Sequence, residues 1–419
     1  MSMQRTRVVI TGMGAVTSLA LTAEETWQGL LAGRSGLDYI TSLTPEVLAN
    51  FPTHIAGEVK GFEPKNYMEF RDAKRMGRFS QLAVAASGMA VKDSGLTMAQ
   101  EDPERVGVVI GNAIGSLQDT EEAVHTSMTR GPMKVSPFYV VTAPANMGAF
   151  WVAYMNQTKG YTSTIVGACA SGSQSLGEAT EVIRRGAADV IICGGVEAGM
   201  CELALSSFCT NKAYTQRNDP PSKASRPFDK GRDGFVGAEG SGFMILETLE
   251  HARARGAHIY AEVLGYGNSN DAYHLIAPDP EGAGAARAMK WALKNAGLQP
   301  TAIQYINAHA TSTPAGDLAE TKAIKSVFGE YAYKVPISAS KSMLGHMMGG
   351  AGAVEAIACV CTIRDGMIHP TINYETPDPE CDLDYTPNVA RKATVDIALS
   401  NSFGLGGQNA SVIMGRFKE

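Results

Sequence analysis

Ser163-Thr-Ile-Val-Gly-Ala-Cys-Ala-Ser-Gly172 decides the fold. Its first half, with β-branched Thr164, Ile165 and Val166, reads as a buried strand. Its second half continues through Ser173-Gln-Ser-Leu-Gly-Glu-Ala-Thr-Glu-Val-Ile-Arg-Arg185 as a helix. Leu176, Ala179 and Ile183 are apolar, and Glu178, Glu181 and Arg184 polar, at helical spacing. Cys169 falls on the turn between strand and helix. A thiol there faces unpaired backbone N–H groups and the positive end of the helix dipole. Both favour the thiolate, the nucleophilic form. The small neighbours Gly167, Ala168, Ala170 and Gly172 leave room for a carbonyl and let backbone amides approach it. By type alone a cysteine is more often buried and inert. The chain has seven, so position must single out Cys169.

The same alternation extends in both directions. Arg7-Val-Val-Ile-Thr-Gly-Met-Gly14 reads as a first strand with a tight glycine turn; it lacks the third glycine of a dinucleotide fingerprint. A helix follows near Glu24–Ala32, capped by Thr22. Phe70-Arg-Asp-Ala-Lys-Arg-Met-Gly-Arg78 is locally basic, ordinarily a solvated helix face. Residues 81–94 form a small-residue helix, and Val106–Ile110 and Asp189–Gly195 are buried strands. Past a glycine-rich loop, Gly234-Phe-Val-Gly-Ala-Glu-Gly-Ser-Gly-Phe-Met-Ile-Leu246 has an echo in Ser402-Phe-Gly-Leu-Gly-Gly-Gln-Asn-Ala-Ser-Val-Ile-Met414. Each is a glycine loop before an apolar strand, which points to a duplication jointed near Glu250–His258. The halves are expected at 1–255 and 256–419. The second half opens with a strand at Ile259–Leu264 and a helix at Gly284–Ala296. A strand, Ile303–His309, then ends at a histidine. Asp317 and Glu320 have capping-box spacing, predicting a helix start there. The strand Val335–Lys341 leads to Ser342-Met-Leu-Gly-His346 and a small-residue helix at Gly349–Cys361. Alternating strands and helices imply an α/β core of mostly parallel strands.

The 419 residues are 44% hydrophobic and 19% charged, enough for a large core. A net charge of −6 supplies no basic field for nucleic acid. No signal peptide is evident. No apolar run reaches membrane-spanning length; the best, Ala351–Ile363, is broken by Glu355. The cysteine spacings fit no metal motif or disulfide framework, as expected of a reducing cytoplasm. His309 and His346 lie at strand ends or on the loops after them, as Cys169 does. In open α/β sheets those ends form the active face. Either histidine alone is more often structural; three reactive groups at equivalent ends are harder to dismiss.

Gly-Ala-Cys169-Ala-Ser-Gly, Asn-Ala-His309-Ala-Thr-Ser-Thr-Pro-Ala-Gly-Asp317 and Lys341-Ser-Met-Leu-Gly-His346 resemble the Cys-His-His motifs of β-ketoacyl-acyl-carrier-protein synthases. Ser225-Arg-Pro-Phe-Asp-Lys-Gly-Arg-Asp-Gly-Phe235 and Asn401-Ser-Phe-Gly-Leu-Gly-Gly407 add to the likeness, which spans nearly the whole chain and is nearest the type II elongating enzymes. It implies the thiolase fold: two similar βαβαβαββ halves in a five-layer αβαβα sandwich, assembled as a homodimer. It also implies decarboxylative Claisen condensation in fatty-acid elongation, with acyl and malonyl forms of an acyl carrier protein as partners.

On that resemblance Cys169 carries the acyl group. His309 and His346 stabilise the enolate as neutral imidazoles. Lys341 acts electrostatically, paired with the structural Glu355. Backbone N–H groups of Cys169 and Leu405 form the oxyanion hole. Thr311 and Thr313 bind the pantetheine arm; local turn bonding is the plainer role of their hydroxyls. Ile114, after Asn112 and Ala113, and Phe208 line the acyl pocket, joined by Tyr139 of the partner subunit where a phenylalanine is usual. Arg71, Lys74, Arg75, Lys134 and Lys212 receive the acidic carrier. No cofactor is required, though some relatives hold a monovalent cation near positions matching Asn307, Glu355 and Ser400. Four departures stand out. Phe403 keeps the first aromatic of the gating loop, but Leu405 replaces the second. Met133 stands where a basic residue is common, Ile276 where a threonine often contacts the arm, and Tyr139 adds a hydroxyl. Met133 bears on how the carrier docks; the other three favour, as the alternative, a specialised polyketide or polyene ketosynthase of the same chemistry, working with a different partner subunit. A non-catalytic chain-length subunit would lack Cys169, and a thiolase would use a second cysteine in place of the histidines.

Overall fold

The computed structural model describes residues 5–419. The first half runs β1 (Val8–Val16), α1 (Ala23–Leu31), α2 (Arg78–Ser94), β2 (Val106–Gly111), α3 (Leu117–Arg130), α4 (Met147–Asn156), β3 (Thr162–Ile165), α5 (Ser171–Arg184), β4 (Val190–Glu197), α6 (Glu202–Thr210) and β5 (Gly240–Thr248). After a short helix at Leu249–Ala254, the second half runs β6 (Ala261–Asn270), α7 (Ala283–Ala296), β7 (Tyr305–Asn307), α8 (Pro314–Phe328), β8 (Ile337–Ser338), α9 (Ala351–Asp365), β9 (Ile397–Gly404) and β10 (Gln408–Gly415).

The halves wind alike. Strand order is β1-β5-β4-β2-β3 in the first and β6-β10-β9-β7-β8 in the second. In each, the opening strand pairs antiparallel with the last, and the two outermost pairings are parallel. The half-sheets meet at β1 and β6 through Val9 opposite Glu262 and Ile10 opposite Ala261. Helices α5 and α9 lie between them: α5 packs on β2, β4 and β10, and α9 on β5 and β9. Outside, α2 covers β1 and β5, and α4 covers β2 and β3; on the far face α7 covers β6 and β10, with α8 beside it. The five layers of a thiolase fold result.

Several local readings hold. Thr22 caps α1, its hydroxyl accepting from Glu25 N–H, and the echo pair becomes β5 and β10, at matching places in the two halves. Others are corrected. β1 does not turn at its glycines but continues through them, shifting register between Ile10 and Gly12. A Cβ on Gly12 would lie 2.3 Å from the Ala90 carbonyl oxygen and one on Gly14 2.2 Å from that of Ala86, so these glycines let α2 press on the strand backbone. Gly265 and Gly267 do the same for α7, with Ala292 and Ala288 oxygens at 2.4 and 2.1 Å. The strand before Cys169 is not buried. β3 is an edge strand, and Val166 just beyond it is 57% exposed. The basic stretch is not one helix face: one turn at Phe70–Ala73 ends before α2 begins at Arg78. Helix α8 starts three residues before Asp317, with Pro314 in its first turn and Thr313 as cap, accepting from Gly316 N–H. The side chains of Asp317 and Glu320 instead accept from backbone N–H groups of loops outside the helix start.

Candidate active site

Cys169 sits in a 3₁₀ turn, Ala168–Ala170, that feeds α5, and Ala168 takes a left-handed φ of +48°. The turn is held from three sides. Ser171 Oγ accepts from Gly167 N–H at 2.9 Å and donates to the Ala168 carbonyl at 2.6 Å. The Gln174 amide fills the space a Gly167 side chain would need, and Gly404, ending β9, packs on the turn's backbone so closely that a Cβ would sit 3.0 Å from Cys169 N.

His309 follows β7 by two residues. Its loop carries left-handed backbone at Ala310 (φ +34°) and Ser312 (φ +70°), a strain of order 1–3 kcal/mol each that the surroundings must override. Two buried carboxylates on α8 do so. Glu320 accepts from the backbone N–H groups of His309 (2.9 Å) and Ala310 (2.8 Å), and Asp317 from those of Ser312 (3.1 Å) and Phe228 (2.8 Å). Arg232 donates to the Pro314 carbonyl at 3.1 Å and lies 3.8 Å from Asp317. The 225–235 stretch thus grips the histidine loop. Burial pushes Asp317 up to about 6 and Glu320 to about 7 against these bonds. The sequence signal for both carboxylates was their spacing, which we read as a helix start.

The loop containing His346 leaves a single helical turn, Lys341–Leu344, and its ring stands edge-on to Phe235, centroids 5.5 Å apart. His346 Nε2 lies 3.0 Å from Cys169 Sγ. The His309 and His346 rings are 5.4 Å apart and nearly perpendicular, and Phe403 is 5.8 Å from His309. Cys169, His309 and His346 are 7%, 8% and 3% exposed and share one cleft of about 360 Å³. Burial, reinforced by the Lys341 charge, holds both imidazoles well below the usual histidine range. The thiol corrects the sequence expectation: burial pushes Cys169 up to about 11, although N–H groups of Leu405 and Cys169 itself and the Lys341 charge all favour the anion. Thiol and imidazoles therefore rest uncharged. Lys341 is fully buried and ion-paired with Glu355, which Ser340 also meets at 3.0 Å.

The chain belongs to the β-ketoacyl synthase family. Residues 5–252 match the family's N-terminal domain model and 260–375 its C-terminal domain. The synthase is 46% identical, over the full length of both chains, to 3-oxoacyl-[acyl-carrier-protein] synthase 2 of Synechocystis sp.. It is 45% identical to the proteins of that name from Staphylococcus aureus and Coxiella burnetii, over 99% of each chain. Among solved structures it superposes on the ishigamide ketosynthase/chain length factor with a TM-score of 0.92 at 39% identity. Those matched residues cover 99% of this chain and 100% of that one. A type II polyketide ketosynthase, AntDE, in complex with its acyl-carrier protein AntF gives 0.91 at 36% identity, with the same coverage.

The remaining candidates fall in several places. Thr311 and Thr313 line the synthase's cleft with hydroxyls 3.0 Å apart; Thr313 also caps α8. Ile276, Phe208, Lys212, Phe403 and Leu405 line it too. The loop carrying Leu405 is tied to the 271–276 loop, Gly406 N–H donating to the Leu275 carbonyl at 3.0 Å and Asp271 N–H to that of Gly407 at 2.8 Å. Ile114 and Phe208 line a narrow channel behind the cleft, closed to about 10 Å³. Tyr139 lines neither; its hydroxyl is 3.3 Å from that of Thr120. Arg71, Lys74, Lys134 and Met133 are exposed. Arg75 lies over the Phe138 ring at 5.5 Å, joining the 70–75 segment to the stretch after Lys134. Asn307 and Ser400 are register partners on β7 and β9. Asn307 Oδ1, Ser400 Oγ and Glu355 Oε2 are all buried without a hydrogen-bond partner, and such oxygen donors suit a hard cation.

Proposed function

We propose that this chain joins a cysteine-bound acyl group to malonyl-acyl carrier protein, releasing carbon dioxide and a 3-oxoacyl-carrier product, as a fatty-acid elongating enzyme. The observation that carries this is the 3.0 Å contact of His346 Nε2 with Cys169 Sγ beside His309, in one buried, uncharged cluster. In the first step the Cys169 sulfur attacks the acyl thioester and its proton goes to the departing pantetheine sulfur, with the His346 Nε2–H, 3.0 Å from Sγ, steadying the sulfur's developing charge. N–H groups of Cys169 and Leu405, already directed at Sγ, stabilise the tetrahedral oxyanion. In the second, malonyl thioester loses carbon dioxide, and the enolate oxygen takes hydrogen bonds from His309 and His346. Neutral imidazoles, kept so by burial and Lys341, donate without quenching the carbanion by proton transfer. The enolate carbon attacks the acyl carbonyl, the bond from that carbon to the Cys169 sulfur breaks, and the sulfur leaves as an anion that takes a proton from water.

Thr311 and Thr313 hold the arm, and exposed Arg71, Lys74, Lys134 and Lys212, with Arg75, receive an acidic carrier. The unpaired edge of β3, with Val166 exposed, fits a second copy in a homodimer that brings in the partner subunit's Tyr139. A monovalent cation held by Asn307, Glu355 and Ser400 would offset the buried carboxylate; a higher melting temperature in potassium than in choline chloride tests it. Seven free cysteines fit a cytoplasmic setting, and no helix among the described residues is long and apolar enough to cross a membrane.

A second reading, a specialised polyketide or polyene chain, is favoured by Leu405, 38% exposed at the gate, and by the ishigamide and AntDE likenesses. Intact-protein mass spectrometry after mixing with acyl-carrier thioesters tests the main reading: acylation on Cys169, absent in Cys169→Ala, is expected. Equal acylation of that variant would overturn it.

A further inference from the structure

The acyl channel cannot take a chain as it stands. Its free volume of about 10 Å³ is roughly the least that admits one water. Its walls must part. Among them Ile114, three residues before α3, faces the stretch from Gly199 to Phe208, which contains Met200 and α6. The walls already touch, for a Cβ on Gly199 would lie 2.9 Å from Ile114 Cδ1.

Helix α6 is held unequally. At its C-terminal end the Phe208 carbonyl accepts from Ala213 and Tyr214 N–H, and Phe208 and Tyr214 each pack on Phe235 with centroids 5.2 Å apart. Within the helix only Ala204 and Leu205 are buried, and Cys201 gives its N-terminus no side-chain cap. The cap comes from across the channel: Glu121 of α3 accepts from Leu203 N–H at 2.8 Å. We infer that Glu121 is a positioning residue for chain length. It latches the free end of α6 to the segment carrying Ile114, so that a longer acyl chain must break or stretch this bond to enter.

The inference rests on the condensing reading, in which an acyl chain lies in this channel. Its test is the rate at which octanoyl- and hexadecanoyl-pantetheine acylate Cys169, followed by intact-protein mass. Glu121→Ala is expected to raise the hexadecanoyl-to-octanoyl ratio about tenfold, the scale of one hydrogen bond to a charged group. Leu203→Pro removes the same bond from the other side, within the first helical turn where proline is tolerated, and gives a reading if the first variant folds poorly. The double variant should add nothing to the larger single effect. Glu121→Gln, whose amide oxygen still accepts from Leu203 but without the charge, should raise the ratio less than Glu121→Ala does. A purely structural role would slow both chains alike. An unchanged ratio in both single variants, with the parent acylated by both thioesters, would overturn the latch alone. A parent acylated by neither would remove the condensing reading and the latch with it.

Discussion

The two halves wind alike yet divide the chemistry, and they differ most at the entry to their inner helices. In the first half Val166 and Gly167 alone separate β3 from the 3₁₀ turn Ala168–Ala170. In the second, residues 339–347 separate β8 from the matching turn Met348–Gly350. Both turns are left-handed at their first residue, φ +48° at Ala168 and +40° at Met348. The short connection puts a thiol at a helix N-terminus, where Gly349 stands in the other half. The long one delivers Lys341 and His346. The two halves thus place the same strained turn before their inner helices, one carrying Cys169 and the other reached through the residues that bring in Lys341 and His346.

Removing the first half's contribution should be the heaviest blow. Cys169→Ser is expected to lower condensation by about 10⁴-fold or more, while malonyl thioester still loses carbon dioxide at the second-half histidines. Product chromatography beside radiolabelled carbon dioxide release checks this; joint loss of both activities would mean the halves are not separable. His309→Ala is expected to slow decarboxylation by about 10²–10³-fold, as for one oxyanion donor, while leaving Cys169 acylation measurable. Gly14→Val and Gly267→Val should each cost about 3 kcal/mol, since a side chain would meet helix backbone in both halves. Denaturant melts showing tolerance in one half only would break the symmetry.

Titration sharpens the contrast. Glu197, ending β4, is pushed up to about 8, and Asp317 and Glu320 to about 6 and 7. The folded chain thus binds more protons than the unfolded one between roughly pH 4 and 8, so these groups lose stability as pH rises through that window. His309 and His346 act oppositely: held neutral by the fold, they lose stability as pH falls below 6.5. Melting temperature should therefore rise from pH 8 to about 6, and the two histidines should blunt the rise below that. Glu197→Gln should flatten the upper end, and Glu320→Gln the middle. Smallest of all, Leu405→Phe should change the ratio of acylation to elongation by about two- to fivefold in single-turnover kinetics, a side-chain effect at the exposed gate.

What the sequence made legible was local or repeated. Thr22 capped its helix because an N-cap acts within three residues, and the two segments of the glycine-loop echo fell at matching places in the sheet. The Cys169, His309 and His346 motifs lay at strand ends, which an α/β winding gathers on one face. The rest depended on partners far along the chain. Gly12 and Gly14 looked like a turn because the helix pressing on them is some 75 residues on. Asp317 and Glu320 had capping spacing but answer loops, one of which leads from the other half. Thr313-Pro314 is the pair that starts α8. The resting state of the Cys169 thiol was misjudged because a dipole is visible in a sequence, whereas the depth of burial is not.

The inner helices carry one more consequence. Since α5 rests on strands of both halves, a chain emerging from the ribosome finishes its first half with one flank of that helix bare. It must shield this apolar surface until the remaining residues arrive. Synthesis, rather than the finished enzyme, is therefore the stage most exposed to aggregation, and a ribosome stalled near residue 255 would release a fragment unable to close its own interior.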